Sequence, residues 1–316
     1  MKTVVSISLG SSRRDFSFTA PFLGEEFSIS RVGTDGSLEA FAAKLRELDG
    51  RVDAIGLGGI DRWLVAGGRR YEFRDARRLA ANARQTPVVD GSGLKNTLER
   101  QAVRRLAGEG IVDFARSRTL VVCAVDRFGM AEEVAALGGP AVYGDLMFSL
   151  GLPLPVRTFA TVRALALVLL PVIVRLPFKW LYPTGEKQEQ VKPRFGWAFR
   201  WAQVIAGDFH LIRRFLPEGE KALAGKTILT NTTTPDDREL LRSRGLRRLV
   251  TTTQSFNGRS TGTNVLEAVL VAATGRRPEE LQPSDYERLL GQLGWSPEIT
   301  EFHGDGNDET GGETGG

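Results

Sequence analysis

The chain has 316 residues, 41% of them hydrophobic and 25% charged, which excludes a disordered polymer and supplies material for two domains. Cys123 is the one cysteine, and His210 and His303 are the two histidines, so a disulfide framework, a Cys-clustered zinc site and a His-rich metal site are all excluded and no metal is expected. The net charge of +4 is mild and its arginine pairs, such as Arg13-Arg14, Arg104-Arg105 and Arg247-Arg248, are scattered. A nucleic-acid reader concentrates its charge on one face, so no nucleic-acid partner is expected.

Met1-Lys2-Thr3-Val4-Val5-Ser6 enters a strand-like pattern directly, without a basic-then-apolar leader, and a cytoplasmic protein is expected. In chain order the periodicity predicts strands Thr3–Leu9 and Phe27–Val32, helix Leu38–Leu48 and strand Val52–Leu57. A hairpin, Trp63–Ala66 turning at Gly67-Gly68 into Tyr71–Phe73, precedes helix Asp75–Ala83, strand Pro87–Val89 and a long helix from Gly93 to Ala107. Strand Leu120–Val125, helix Ala131–Leu137 and strand Ala141–Tyr143 follow. After an apolar helical insertion, residues 153–200, come strands Val204–Ala206 and Thr227–Thr230, helix Asp236–Ser243, strand Leu249–Thr252 and helix Thr263–Ala273. Strands alternating with helices of this length predict an α/β protein of two Rossmann-like domains with mainly parallel sheets. The expected division is 1–112 and 113–302, with 303–316 a disordered tail that has nothing apolar to bury.

Within the insertion, Ala164–Val174 is about half the roughly 20 apolar residues needed to span a bilayer, so no transmembrane segment is expected. The run is read as a buried helix bent or ended by Pro171, with a membrane-surface role for 164–181 as the alternative.

Open parallel sheets bind ligands beyond the carboxyl ends of their strands. Here those ends are polar or glycine: Gly10-Ser11-Ser12-Arg13, Gly58-Gly59-Ile60-Asp61, Asp90-Gly91-Ser92-Gly93-Leu94-Lys95, Asp126-Arg127-Phe128-Gly129, Gly144-Asp145, Gly207-Asp208-Phe209-His210 and Asn231-Thr232-Thr233-Thr234. Each alone is an ordinary turn; their repetition in both halves predicts a ligand cleft between two domains. The Asp90–Lys95 loop opens a helix, where amides and dipole favour an anion and disfavour Lys95. A bound carboxylate or phosphate, or Asp90 itself, would compensate the lysine. A lysine in positive potential also has a lowered pKa, suited to proton transfer, whereas pairing with Glu99 one turn on would make it a surface residue.

Several motifs fail on inspection. Gly56-Leu57-Gly58-Gly59-Ile60-Asp61 ends in Asp where a dinucleotide fingerprint needs glycine and leads into a hairpin. Gly91-Ser92-Gly93-Leu94-Lys95-Asn96 has the right strand–helix setting but lacks the last glycine, and Gly225-Lys226-Thr227 precedes a strand, which a phosphate loop must leave. Gly258-Arg259-Ser260-Thr261-Gly262 is separated from its strand by Gln254–Asn257, unlike a nucleophile elbow; Arg259 there suits an anion at a helix N-terminus. Asp208-Phe209-His210 reads more simply as a structural histidine than as an acid–base pair.

The segments GLGGID, TPVVDGSGLKNTLER, AVDRFGMAE, YGDLMFSLGLPLP, RLPFKWLYPTGEKQE, AGDFHLIRR, ILTNTTTPDD and GRSTGTNVLEA, in this order between Thr3 and Ala273, resemble the bacterial quinate 5-dehydrogenase family. The resemblance implies oxidation of a ring hydroxyl on a polyhydroxy carboxylic acid, an anionic small-molecule substrate, with hydride passing to NAD or NADP. The better-known quinate and shikimate dehydrogenases place a Lys–Asp pair in a cleft between two α/β domains. Carried over, the lysine is Lys95 and the carboxylate Asp90 or Asp61, with Ser11, Ser12, Arg13 and Ser92 toward the substrate. Asp126, Arg127, Gly129, Asn231, Thr232, Thr233, Thr234 and Arg259 then face the cofactor. No glycine-rich loop opens a helix in the second half, so a non-redox α/β protein binding a small anionic metabolite or nucleotide is the alternative.

Overall fold

The computed structural model describes residues 1–177, 192–253, 255–256, 259–260 and 262–302, with backbone alone at 255, 256, 259 and 260. The first sheet has the order β2 (Phe16–Phe22), β3 (Glu25–Gly33), β1 (Lys2–Ser8), β4 (Ala54–Gly58), β7 (Val88–Val89); β2 is antiparallel and the rest parallel. The second has the order β15 (Glu298–Glu301), β12 (Arg248–Thr251), β11 (Thr227–Thr230), β10 (Val204–Ala206), β8 (Thr119–Val121), β9 (Ala141–Tyr143), antiparallel only at β15. This is the expected two-domain α/β architecture with mainly parallel sheets. Two short hairpins, β5 (Trp63–Ala66) with β6 (Arg69–Glu72) and β13 (Ser255–Phe256) with β14 (Arg259–Ser260), stand outside the sheets.

Continuous apolar strands mean both faces are covered, and the cores show how. From β1, Val4 enters one core while Val5 and Ile7 enter another, because alternate side chains leave opposite faces. Val5 and Ile7 pack with Phe41 and Leu45 of α1 (Leu38–Leu48) and Ala76 of α2 (Arg74–Ala80). Val4, Ile29 and Ala54 join a core that also takes Val121, Ala206, Leu229 and Val250 of the second sheet. Between the sheets, that shared core contains α3 (Ser92–Gly108), α4 (Phe128–Ala136), α9 (Thr263–Thr274) and α10 (Pro283–Gln292). Helix α9 lies in sequence between strands β12 and β15 of the second sheet yet packs on β1 and β4 of the first, with Asn264 Nδ2 donating to Ser6 Oγ at 2.7 Å. On its outer face the second sheet is covered by α6 (Gly196–Trp201), α7 (Phe209–Phe215) and α8 (Pro235–Ser243).

Helix α5 (Phe159–Ile173) carries the apolar run, with Pro171 inside its last turn. The expected buried helix is corrected: Val162, Ala166 and Leu170 are buried, while Leu167, Val168 and Val172 face solvent. No helix among the described residues is long and apolar enough to cross a membrane. Parts of three expectations, namely the insertion within 178–191, the end of the 164–181 segment and the tail 303–316, lie outside the described residues.

Candidate functional site

In the second sheet β8 has β9 on one side and β10 on the other, so the chain reverses direction across the sheet between β8 and β10. Such a switch point opens a crevice at the strand ends, where ligands of doubly wound sheets bind. Gly207, just after β10, has φ of 136°, and a Cβ there would meet Val122 Cγ2 at 2.5 Å; glycine lets the two strand ends close up. Asp208 Oδ2 lies 2.7 Å from Arg127 Nη2, and the Asp208 amide donates to Cys123 Sγ at 3.2 Å. Arg127, 5% exposed, also pairs with Glu99 of α3 and, at 3.1 Å, with Asp126 Oδ2.

Lys95 reaches this crevice from the first sheet. It stands in the first turn of α3, directly after β7, and its Nζ lies 2.6 Å from Asp126 Oδ1 and 3.6 Å from Asp61 Oδ1. Asp61 follows β4, so carboxylates at strand ends of both sheets converge on one ammonium group that is 12% exposed. Asn231, after β11, joins by donating from Nδ2 to Asp208 Oδ2 at 3.2 Å.

Burial and neighbouring charges pull these groups in opposite directions. Burial and the Arg127 charge push Lys95 down, but Asp126, Asp61 and Glu99 outweigh them and its pKa is raised, so the expected lowered pKa is corrected. Burial opposes the Asp208 carboxylate, yet Arg127, His210 and Lys95 hold it down to about 2. Glu99, 1% exposed, is pushed up by burial despite Arg127 and Lys95. Around the two cations Lys95 and Arg127 stand the carboxyls of Asp61, Asp126, Glu99 and Asp208, so each cation is already paired within the chain.

Two anion-friendly turns are filled by the chain's own carboxylates. Asp90 Oδ1 accepts from Ser92 N (3.1 Å) and Ser92 Oγ (2.6 Å), and its Oδ2 accepts from Arg62 N (2.6 Å) and Trp63 N (2.9 Å). Asp90 and Ser92 therefore anchor the β7–α3 turn to the hairpin, and the lysine expected to pair with Asp90 pairs with Asp126 and Asp61. At the β8–α4 turn, Asp145 accepts from Ala124 N (3.1 Å) and Val125 N (2.8 Å), and burial pushes its pKa up to about 6. A dinucleotide's pyrophosphate would need those amides. With Asp145 on them and the Arg127 side chain in the crevice, the residues of this turn do not fit NAD or NADP in the usual pose.

The remaining expected residues have other duties. Gly129 lets α4 close on α3, since a Cβ there would collide with the Asn96 carbonyl. Thr234 caps α8 and Thr233 Oγ1 accepts from Arg238 Nε at 3.3 Å; Thr232 is half-buried beside them. Ser11 caps the short helical turn Ser12–Arg14, the Ser12 amide donates to Asp35 Oδ1 at 2.8 Å, and Arg13 is exposed. No hydrogen bond or ion pair among the described contacts joins Ser11, Ser12 or Arg13 to Lys95. Arg259 lies in the β13–β14 hairpin and its side chain lies outside the described residues. Asp208 caps α7 through the His210 backbone amide (2.9 Å), while the His210 side chain is exposed.

Sequence reasoning had not placed Asp208 or Glu99 in this cluster, because each has a simpler local use as helix cap or helix-face partner. Glu267 of α9 was also missed: it is buried at the β7–α3 turn and its Oε1 accepts from Tyr286 Oη at 2.9 Å. The one signal for it is a lone acid in an otherwise apolar helix.

The chain matches the family model described as Domain of unknown function (DUF8754) over residues 93–302. It belongs to the DUF8754 family. A second model, Domain of unknown function (DUF8753), matches residues 3–90, so this DUF8754 member joins Asp61 from one matched segment to Lys95, Asp126 and Asp208 from the other. A comparison with curated proteins finds no match. Among solved structures, the chain is similar to a galactofuranose binding protein, at 14% identity and a TM-score of 0.37, covering 93% of this chain and 99% of that one. It is similar to the Leu-bound hetero-hexameric glutamate dehydrogenase from Thermus thermophilus, at 13% identity and a TM-score of 0.43, covering 93% and 74%. The arabinose ABC transporter's periplasmic binding component from Shewanella sp. ANA-3 is similar at 11% identity and a TM-score of 0.34, covering 93% and 97%.

Proposed function

We propose that the cluster at the strand ends binds a small polyhydroxylated molecule and that Lys95 handles a proton on one of its oxygens. The observation that carries this reading is Lys95 Nζ held between Asp126 at 2.6 Å and Asp61 at 3.6 Å, one from each sheet. Hydroxyl groups suit such a place, because they donate to the carboxylates and accept from the ammonium. An excess of carboxyls over cations disfavours an anionic group docking there, so any carboxylate on the ligand points away from the cluster. Lys95, kept protonated, is a proton donor to a developing alkoxide or a hydrogen-bond donor to a carbonyl oxygen.

A second reading, an NAD(P)-dependent quinate/shikimate-type dehydrogenase of the cytoplasm, is favoured by the same lysine–carboxylate set. In it Asp126 joins Asp61 as partner, and the nucleotide lies elsewhere than on the β8–α4 turn. Isothermal titration with quinate and shikimate, with and without NAD or NADP, separates the two. Saturable binding of a polyol that Lys95→Met weakens by about 10-fold or more supports the site. Nucleotide binding strengthened by the polyol supports the dehydrogenase, and a folded protein that takes up neither ligand overturns both readings.

A further inference from the structure

Between Asp145 and residue 178 the chain has no acidic residue, although Asp and Glu together number 38 in the whole sequence; its charges there are Arg157, Arg163 and Arg175, all exposed. In the same stretch the structure leaves large apolar side chains in water. Leu150 is 54% exposed, Leu154 55%, Val168 71% and Val172 60%, with Leu152 and Leu167 at 45% each. Ala160, Ala164, Leu167, Val168, Pro171 and Val172 fall on one side of α5, opposite the Val162–Ala166–Leu170 stripe that packs into the protein. An exposed face with this composition is costly to leave in water, and arginines before, within and after the apolar helix complement a surface that is apolar inside and negative outside.

We infer that the outer face of α5, with the Leu150–Leu154 segment before it, docks on an anionic lipid surface. The helix lies in the headgroup layer: Leu167, Val168 and Val172 enter the acyl boundary, while Arg157, Arg163 and Arg175 meet lipid phosphates. At 15 residues the helix is too short to span, so binding is peripheral and reversible. The strand-end cluster is built from other elements and stays with the body of the protein in water.

The test is flotation of the full chain with vesicles of phosphatidylcholine alone or mixed with phosphatidylglycerol, at low and high salt. The expected result is binding to the phosphatidylglycerol vesicles only, weakened by salt. Arg163→Ala and Arg175→Ala should each lower partitioning about fivefold, the pair Leu167→Glu/Val168→Glu should abolish it, and Arg116→Ala should leave it unchanged. Circular dichroism checks that each variant is folded. Failure to bind either vesicle overturns the proposal. So does a concentration-dependent dimer in sedimentation velocity that the paired glutamate variant dissolves while vesicles are ignored, since the face would then belong to a second copy.

Discussion

Arg127 answers for most of the charge in the crevice: its guanidinium faces Glu99, Asp126 and Asp208 at once, and removing it would leave carboxyls stranded in a nearly dry site. Glu267 is the opposite case, a buried acid with no ion pair among the described residues. Burial and the nearby Asp90 push its pKa up to about 8, against the pull of Tyr286 and the Gly91 amide. A carboxyl whose folded value is raised supplies stability that is full below its ordinary value and is lost as pH climbs through the raised one. Folding should therefore weaken between about pH 4.5 and 8. Glu267→Gln, which keeps the acceptor for Tyr286, should remove that slope and be the more stable chain at pH 9 by on the order of 3 kcal/mol. Urea unfolding at several pH values reads this directly, and parallel curves for the two chains would exclude the mechanism. Asp208 works the other way: held down to about 2, it adds stability above its ordinary value that is lost as pH falls through about 2.

At the scale of elements, the contact between α3 and α4 sets the geometry of Lys95 and Asp126, because those residues stand at or beside the two helix starts. Gly129→Ala would push a methyl group into the Asn96 carbonyl, which is backbone and cannot swing aside. The expected cost is about 1–3 kcal/mol by thermal unfolding, together with weaker ligand binding than the stability loss alone explains. Helix starts and strand cores were legible beforehand: α1 and β9, β10 and β11 have the predicted bounds. Strand β2 was not, although Phe16-Ser17-Phe18-Thr19 alternates as a strand does; Pro21 weakens that signal, and β2 takes the edge of its sheet, where a proline is tolerated. Helix α10 was missed because its apolar positions, Tyr286, Leu289 and Leu290, are few and follow the proline-rich turn before it.

For the whole molecule, the decisive feature is one core shared by two sheets. Helix α9, from the second matched segment, covers the face of the first sheet that holds Val4, Ile29 and Ala54. A fragment of residues 3–90 therefore exposes that face, and it should fail to give dispersed amide resonances alone. Adding residues 93–302 in trans should restore them if the shared core is what holds it. A well-dispersed spectrum for the fragment alone would show that the first sheet needs no cover.

Composition and periodicity by themselves determined an α/β protein with parallel sheets, and the polar strand ends marked the edge on which its chemistry stands, because both follow from local preference and from the rule that parallel strands are buried. Those strand-end loops contain Asp61, Asp126 and Arg127 among many other polar residues, and the helix-start argument marked Lys95. Which carboxylate Lys95 meets was decided only by tertiary structure, since Asp61, Lys95, Asp126 and Asp208 come from four strand ends on two sheets. Long-range packing likewise placed Asp90 on the amides of Arg62 and Trp63, and Asp145 on those of Ala124 and Val125. A local pattern shows that a turn can hold an anion; whether the chain supplies that anion itself depends on what the fold brings against it.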